Sequence, residues 1–177
     1  MSFKKNKYIV IKKAIDKNLA TFLANYFVVK KQVYDTCRER RYISPYELML
    51  GLYEGEHEQV PNTYSCYGDI AMETLLLKCQ PQMEKATGLK LYPAYTYARI
   101  YKKGDILKRH KDRFSCEIST TMNLGGDDWP IYLEPEDKGT ILLFPSKLLH
   151  QVYPFYLSNK KRISIAGNIK LDPTKIV

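Results

Sequence analysis

The chain has 177 residues, of which 45% are hydrophobic, enough for one domain around one core. Its formal net charge is +9. No run of 18 apolar residues occurs, which excludes a helical membrane span, and the N-terminus MSFKKNKYIVIKK has neither the apolar stretch nor the cleavage site of a secretory signal. A cytoplasmic location is expected. Cys37, Cys66, Cys79 and Cys116 make no CxxC pair and read as free thiols of a reducing compartment. The early basic cluster (Lys4, Lys5, Lys7, Lys12, Lys13, then Lys30, Lys31, Arg38, Arg40, Arg41) lacks the stacking aromatics of a nucleic-acid module, so it reads as a solvated face.

In chain order, Tyr8 to Ile11 is a short apolar run expected as an edge strand. Asp16 reads as an N-cap. Leu19, Phe22, Leu23, Tyr26 and Phe27 then recur at helical spacing in a helix expected to reach about Val33. Residues 42–67, with Pro45, Gly51, Gly55 and Pro61, read as a long irregular excursion, expected as a lid. His57, inside it, is expected to be solvent-exposed. A second helix is expected from Asp69, with Ile70, Leu75, Leu76, Cys79 and Met83 on its apolar side. Gly88 ends it, and Pro81 is expected to kink or stop it early.

Beyond Gly88 the texture changes. Segments 92–101, 106–112, 116–124, 130–134, 140–144, 148–154 and 162–170 are short, rich in Tyr, Ile, Leu and Thr, and punctuated by Gly or Pro. Many short strands at this spacing predict a sandwich or barrel. The fold class is therefore α+β, with N-terminal helices packed on a jelly-roll half.

Three clusters in that half carry chemistry. In Arg109-His110-Lys111-Asp112 an extended backbone turns His110 and Asp112 to one face, and His150 follows at the head of His150-Gln151-Val152-Tyr153-Pro154. Two histidines and a carboxylate match the facial triad of non-haem Fe(II) oxygenases, which leaves one side of the metal open. Arg162 and Ser164 share a face of the alternating run KKRISIAGNIK, where a guanidinium and a hydroxyl suit an acid. Finally, Tyr95, Tyr97, Arg99 and Tyr101 form one polar-aromatic face of a strand whose other face is Ala98 and Ile100. Such a face either lines a pocket or meets solvent.

The ordered set Tyr101-x-x-Gly104…His110-x-Asp112, His150-x-Val152-x-Pro154 and Arg162-x-Ser164, over roughly 91–170, resembles the 2-oxoglutarate/Fe(II) oxygenase superfamily, and within it the small prolyl-4-hydroxylase-like branch. The resemblance implies a single oxygenase domain over 1–177. Residues 1–90 would give helical support and a lid, and 91–170 a double-stranded β-helix (cupin-like) core. It implies Fe(II) on His110, Asp112 and His150, and 2-oxoglutarate held by Arg162 and Ser164 with Tyr101 lining its pocket. Oxygen is the third reactant and ascorbate a stimulant. The activity implied is a dioxygenase that hydroxylates prolyl residues of a peptide or protein, releasing succinate and CO2. Candidate substrate contacts are Tyr97, Arg99 and Arg113. The sequence departs from the prolyl-hydroxylase pattern at Glu117, where an arginine is common, and at Thr120 or Thr121, near the place of a usual tyrosine. The alternatives are a free amino acid or other small metabolite as substrate, a nucleic-acid demethylase (disfavoured, because the second arginine of that group's terminal strand is missing after Arg162), or a non-catalytic jelly-roll binding module.

Overall fold

The computed structural model describes residues 3–42, 44, 47, 49–113, 116–126, 141–147, 150–152 and 160–171. Asp16 caps the long helix α2 (Lys17–Glu39) by accepting the Leu19 N–H at 2.9 Å. This helix runs a turn and a half beyond the expected end. It buries Ala20, Leu23, Ala24 and Phe27 and leaves Phe22 exposed, so its inner face is narrower and richer in alanine than the pattern predicts. A short α1 (Phe3–Asn6) and the strand β1 (Ile9–Ile11) precede it.

Helix α3 (Ile70–Thr87) starts on Asp69, whose carboxylate accepts the Met72 N–H at 3.1 Å, and ends on Gly88 in the left-handed conformation. The expected break at Pro81 does not occur, because the helix continues to Thr87. Pro81 and the residue one turn before it, Leu77, both face solvent. Water can therefore satisfy the carbonyl that loses its N–H partner. Ile70, expected on the apolar side, is exposed, and Met72 takes its place in the core.

Strands β2 (Leu52–Tyr53), β3 (Tyr64–Tyr67), β4 (Leu91–Tyr101), β6 (Ile118–Gly126), β7 (Ile141–Pro145) and β9 (Arg162–Leu171) join β1 in a seven-stranded sheet ordered β1-β7-β6-β9-β4-β3-β2. A separate two-stranded sheet pairs β5 (Leu107–His110) with β8 (His150–Val152). Every pairing described is antiparallel. The fold is thus a mixed one of helices and antiparallel sheets. The expected strand at 130–134 lies outside the described residues, as do Tyr153 and Pro154.

The excursion expected at 42–67 is corrected in its second half. Residues 52–53 and 64–67 form the edge of the large sheet, and Tyr64 is 1% exposed, packed against Phe27, Tyr34 and Tyr53. Tyr53 and Tyr64 therefore build core, while Tyr42 and Tyr67 are exposed. Gly51 (φ +82°) shows why the turn tolerates nothing larger: a Cβ there would lie 2.6 Å from the Ser65 carbonyl oxygen.

Side-chain alternation splits the large sheet. Ala98 and Ile100 of β4, Ile118, Met122 and Leu124 of β6, Ile141 and Leu143 of β7, and Ile163, Ile165 and Ile169 of β9 pack on α2 and α3 as the main core. The other face turns away from the helices toward the small sheet. A second apolar cluster of Val60, Tyr101, Leu107 and Val152 ties the two sheets together.

Candidate metal centre and its cavity

The β4–β9 and β6–β9 registers place the cavity face in rows: Ser119–Asn168–Tyr95, then Thr121–Ala166–Tyr97, then Asn123–Ser164–Arg99, then Gly126–Arg162–Tyr101. Across from these rows, His110 and His150 are direct partners in the small sheet. A cavity of about 360 Å³ lies between, with His110, Asp112, His150, Tyr95, Tyr101 and Ser164 among its lining residues. The polar-aromatic face of β4 lines this cavity.

The turn from β4 to β5 brings His110 back over the sheet. Buried Asp105 closes it, accepting from the Lys102 backbone N–H (2.8 Å), from Lys102 Nζ (2.8 Å) and from Thr63 Oγ1 (2.8 Å). Asp112 lies two residues past the end of β5, where its N–H donates to the Ser146 carbonyl at 3.2 Å.

One ligand atom from each of His110, Asp112 and His150 lies within 4.8 Å of the others. Asp112 Oδ1 is 3.7 Å from Nε2 of both histidines. The imidazoles tilt against each other with ring centres 4.2 Å apart, and Phe144 packs 4.8 Å from His150. His110 Nδ1 sits 2.8 Å from the Lys108 carbonyl oxygen, an acceptor only, so Nδ1 carries the proton and the Nε2 lone pair points inward. Burial, and then the neighbouring His150, pushes the His110 imidazolium below the ordinary histidine range. A neutral ring with a free inward lone pair is what a divalent metal requires. The residues present therefore fit an Fe(II) ion held on one side only.

Glu54, which sequence reasoning missed, organises the neighbouring wall. Its Oε1 accepts from Arg99 Nε (2.7 Å) and Nη2 (2.6 Å) and lies 3.1 Å from Tyr97 Oη, while Oε2 accepts the Val60 N–H at 2.9 Å. Arg99 Nη1 donates to Tyr101 Oη at 3.0 Å. Burial opposes the Arg99 charge, but Tyr101 and Glu54 outweigh it, and the guanidinium stays protonated. The polar ends of Tyr97 and Arg99 are thus turned into the wall. Arg113, by contrast, is exposed at the cavity's edge, its guanidinium carbon 5.9 Å from the Tyr95 ring centre. His57 is exposed, as expected, and does not line the cavity.

Arg162 is fully buried beneath Tyr101, 5.7 Å from its ring centre; Ser164 and Tyr101 line the cavity and Arg162 does not. Beside it, Gly126 adopts φ +91°, and a Cβ there would meet the Lys161 carbonyl oxygen at 1.6 Å. Asn123, directly across from Ser164, is 1% exposed, and its Nδ2 has no hydrogen-bond partner among the described residues. A buried donor of this kind fits a carboxylate of 2-oxoglutarate.

Two histidines and one carboxylate lining a cavity between antiparallel sheets match the facial triad of non-haem Fe(II) oxygenases. Residues 91–168 match the family model described as "Putative 2OG-Fe(II) oxygenase". That match and the His–Asp–His cluster together support a 2OG-Fe(II) oxygenase domain in this part of the chain, whose residues would hold Fe(II) and 2-oxoglutarate. No match was found among curated proteins. Among solved structures, the chain is similar to a Pseudomonas putida prolyl-4-hydroxylase (15% identity, TM-score 0.59, 95% of this chain and 94% of that one). It is also similar to the viral collagen prolyl hydroxylase of Paramecium Bursaria Chlorella virus-1, solved with 2OG (14%, 0.59, 94% and 97%). A third similar structure is the non-haem α-ketoglutarate-dependent epimerase SnoN from nogalamycin biosynthesis (11%, 0.68, 99% and 84%). At these identities the likeness is one of fold.

Proposed function

We propose that this chain is a dioxygenase that hydroxylates prolyl residues of a peptide or protein, with Fe(II) on His110, Asp112 and His150. The cluster of three ligand atoms at the cavity mouth carries the reading. The large and small sheets would be the two walls of a double-stranded β-helix. Arg162, Ser164 and Asn123 would cradle the distal carboxylate of 2-oxoglutarate, with Tyr101 as the pocket wall. Arg162, fully buried beneath Tyr101 on the face it shares with Ser164, would be the anchor. Iron with 2-oxoglutarate and O2 supplies the oxidising equivalents, releasing succinate and CO2. The chain's own residues orient: the Glu54–Arg99–Tyr101 chain fixes the pocket wall, and Lys108 fixes the His110 tautomer.

The peptide substrate rests on the shared fold with prolyl hydroxylases and on the cavity mouth. There the Tyr67 and Tyr95 ring centres lie 4.9 Å apart, and aromatic faces suit extended proline-containing chains. Exposed Arg113 would meet an acidic or carbonyl group of the peptide. A second reading, a small-molecule substrate, is favoured by the fold shared with SnoN. Mass spectrometry of peptides incubated with protein, Fe(II) and 2-oxoglutarate decides between them. Gain of one oxygen atom localised to proline supports the peptide reading. Coupled turnover with free small molecules only would refute it.

A further inference from the structure

Asp112 Oδ2 accepts a hydrogen bond from Ser119 Oγ, and the same Oγ lies 3.1 Å from Asn168 Oδ1. One hydroxyl has one proton, and both neighbours as placed are acceptors. The ionised carboxylate can only accept, so the Ser119 proton belongs to Asp112. An amide oxygen would then face a hydroxyl oxygen with no proton between them, inside a region where Ser119 is 2% and Asn168 5% exposed. Turning the Asn168 amide by half a rotation removes the conflict, since its nitrogen and oxygen are interchangeable in shape. The consistent arrangement is a one-way chain: Asn168 Nδ2–H to Ser119 Oγ, and Ser119 Oγ–H to Asp112 Oδ2.

Sheet register is what makes this chain possible. Ser119 and Asn168 are direct cross-strand partners on β6 and β9, both central strands of the large sheet. Asp112 sits on irregular backbone beyond β5, tied to the large sheet's side through the Ser146 carbonyl. With Oδ2 engaged from behind, only Oδ1 faces the two Nε2 atoms, at 3.7 Å from each.

We propose that Ser119 and Asn168 are positioning residues that hold Asp112 as a one-oxygen metal ligand, keeping its second oxygen out of the coordination sphere and that side of the metal open. The proposal rests on the assignment of His110, Asp112 and His150 as metal ligands. Outer-shell partners of this kind change metal affinity by about 10- to 100-fold.

The test is Mn(II) binding to the apo-protein, read as free Mn(II) by electron paramagnetic resonance without 2-oxoglutarate or substrate. Ser119→Ala is expected to weaken Mn(II) binding by about 10- to 100-fold. Ser119→Thr, which keeps the hydroxyl, is expected to restore most of it. Asn168→Asp places a second acceptor behind Ser119, competes for its proton, and is expected to weaken binding although the side chain keeps its size. The Asn168→Asp result stands alone should Ser119→Ala fail to fold. Affinities for both Ser119→Ala and Asn168→Asp within about twofold of wild type would overturn the relay while leaving the ligand assignment standing. A wild-type protein that binds no Mn(II) would overturn the ligand assignment, and the relay with it.

Discussion

Glu54 and Arg99, 45 residues apart, form a two-pronged ion pair with contacts of 2.6 and 2.7 Å. The carboxylate side chain is 2% and the guanidinium side chain 7% exposed. The pair fastens the segment after β2 to the middle of the cavity wall. Glu54→Ala leaves a charged guanidinium buried without its carboxylate, and removing one partner of a buried pair costs about 3–5 kcal/mol. Replacing both, with Glu54→Leu and Arg99→Met, is expected to cost less than the single change, because neither charge is then stranded. Urea denaturation midpoints check this. A Glu54→Ala protein within about 1 kcal/mol of wild type, the net worth of an ordinary hydrogen bond, would contradict it.

This pair also marks where sequence reasoning ran out. Glu54 lies among glycines and prolines in a stretch that reads as loop, and the strand before it, β2, is two residues long, too short for any period. The faces of β4 and β9 were legible because, apart from Thr96 and Ala166, tyrosine or polar side chains alternate with small or apolar ones, and only one such face can meet helices. Strand β6 was not, since eight of its nine residues are buried and both faces are covered, so Ser119 could not be told from its neighbours. His110 and Asp112 could be paired from spacing alone, although the strand ends at His110.

Asp112→Ala should abolish 2-oxoglutarate turnover while leaving the apo-protein folded. The residue is at the cavity mouth, its side chain 21% exposed, and its removal strands no buried charge. Mn(II) binding and thermal melting of the same preparation separate the two effects. Wild-type metal occupancy together with wild-type turnover in Asp112→Ala would sink the ligand assignment.

Asp69 links the two helices, and its contribution to stability should vanish in acid. Its carboxylate accepts from Lys30, from Tyr26 Oη at 2.8 Å and from the Met72 N–H. Burial works against the charge, but Lys30, Tyr26 and Met72 outweigh it and hold the carboxyl below its ordinary value. The folded state therefore protonates later than the unfolded chain. The stabilisation is full above the ordinary Asp range of about 3.9 and is lost as pH falls through the depressed folded value. Asp69→Asn keeps a good cap but loses the ion pair with Lys30. The stability gap between wild type and Asp69→Asn, measured by denaturant at successive pH values, should be widest near neutrality and narrow below about pH 4. A gap unchanged between neutral and acid pH would show that the ion pair contributes nothing.

Arg162 is where the co-substrate assignment is most exposed to test. It is fully buried, on the same face as Ser164 and beneath Tyr101, so a carboxylate that reaches it is shielded from water and bound strongly. A charge-assisted hydrogen bond is worth about 1.5–3 kcal/mol, which corresponds to roughly a 10- to 150-fold change in affinity. Arg162→Ala is therefore expected to raise the 2-oxoglutarate Kd by that factor. Arg162→Lys is expected to recover only part, since an ammonium cannot make the forked contact. Asn123→Ala, which removes a neutral donor, is expected to cost less, about 0.5–1.5 kcal/mol. Calorimetric titration of the Mn(II)-loaded protein gives all three numbers without turnover, and thermal melting guards against loss of fold in Arg162→Ala. If Arg162→Ala folds and binds 2-oxoglutarate within about twofold of wild type, the anchor lies elsewhere on this face. Arg99 would then be the residue to test, by releasing it from Glu54 with Glu54→Gln, which leaves a neutral partner of the same size.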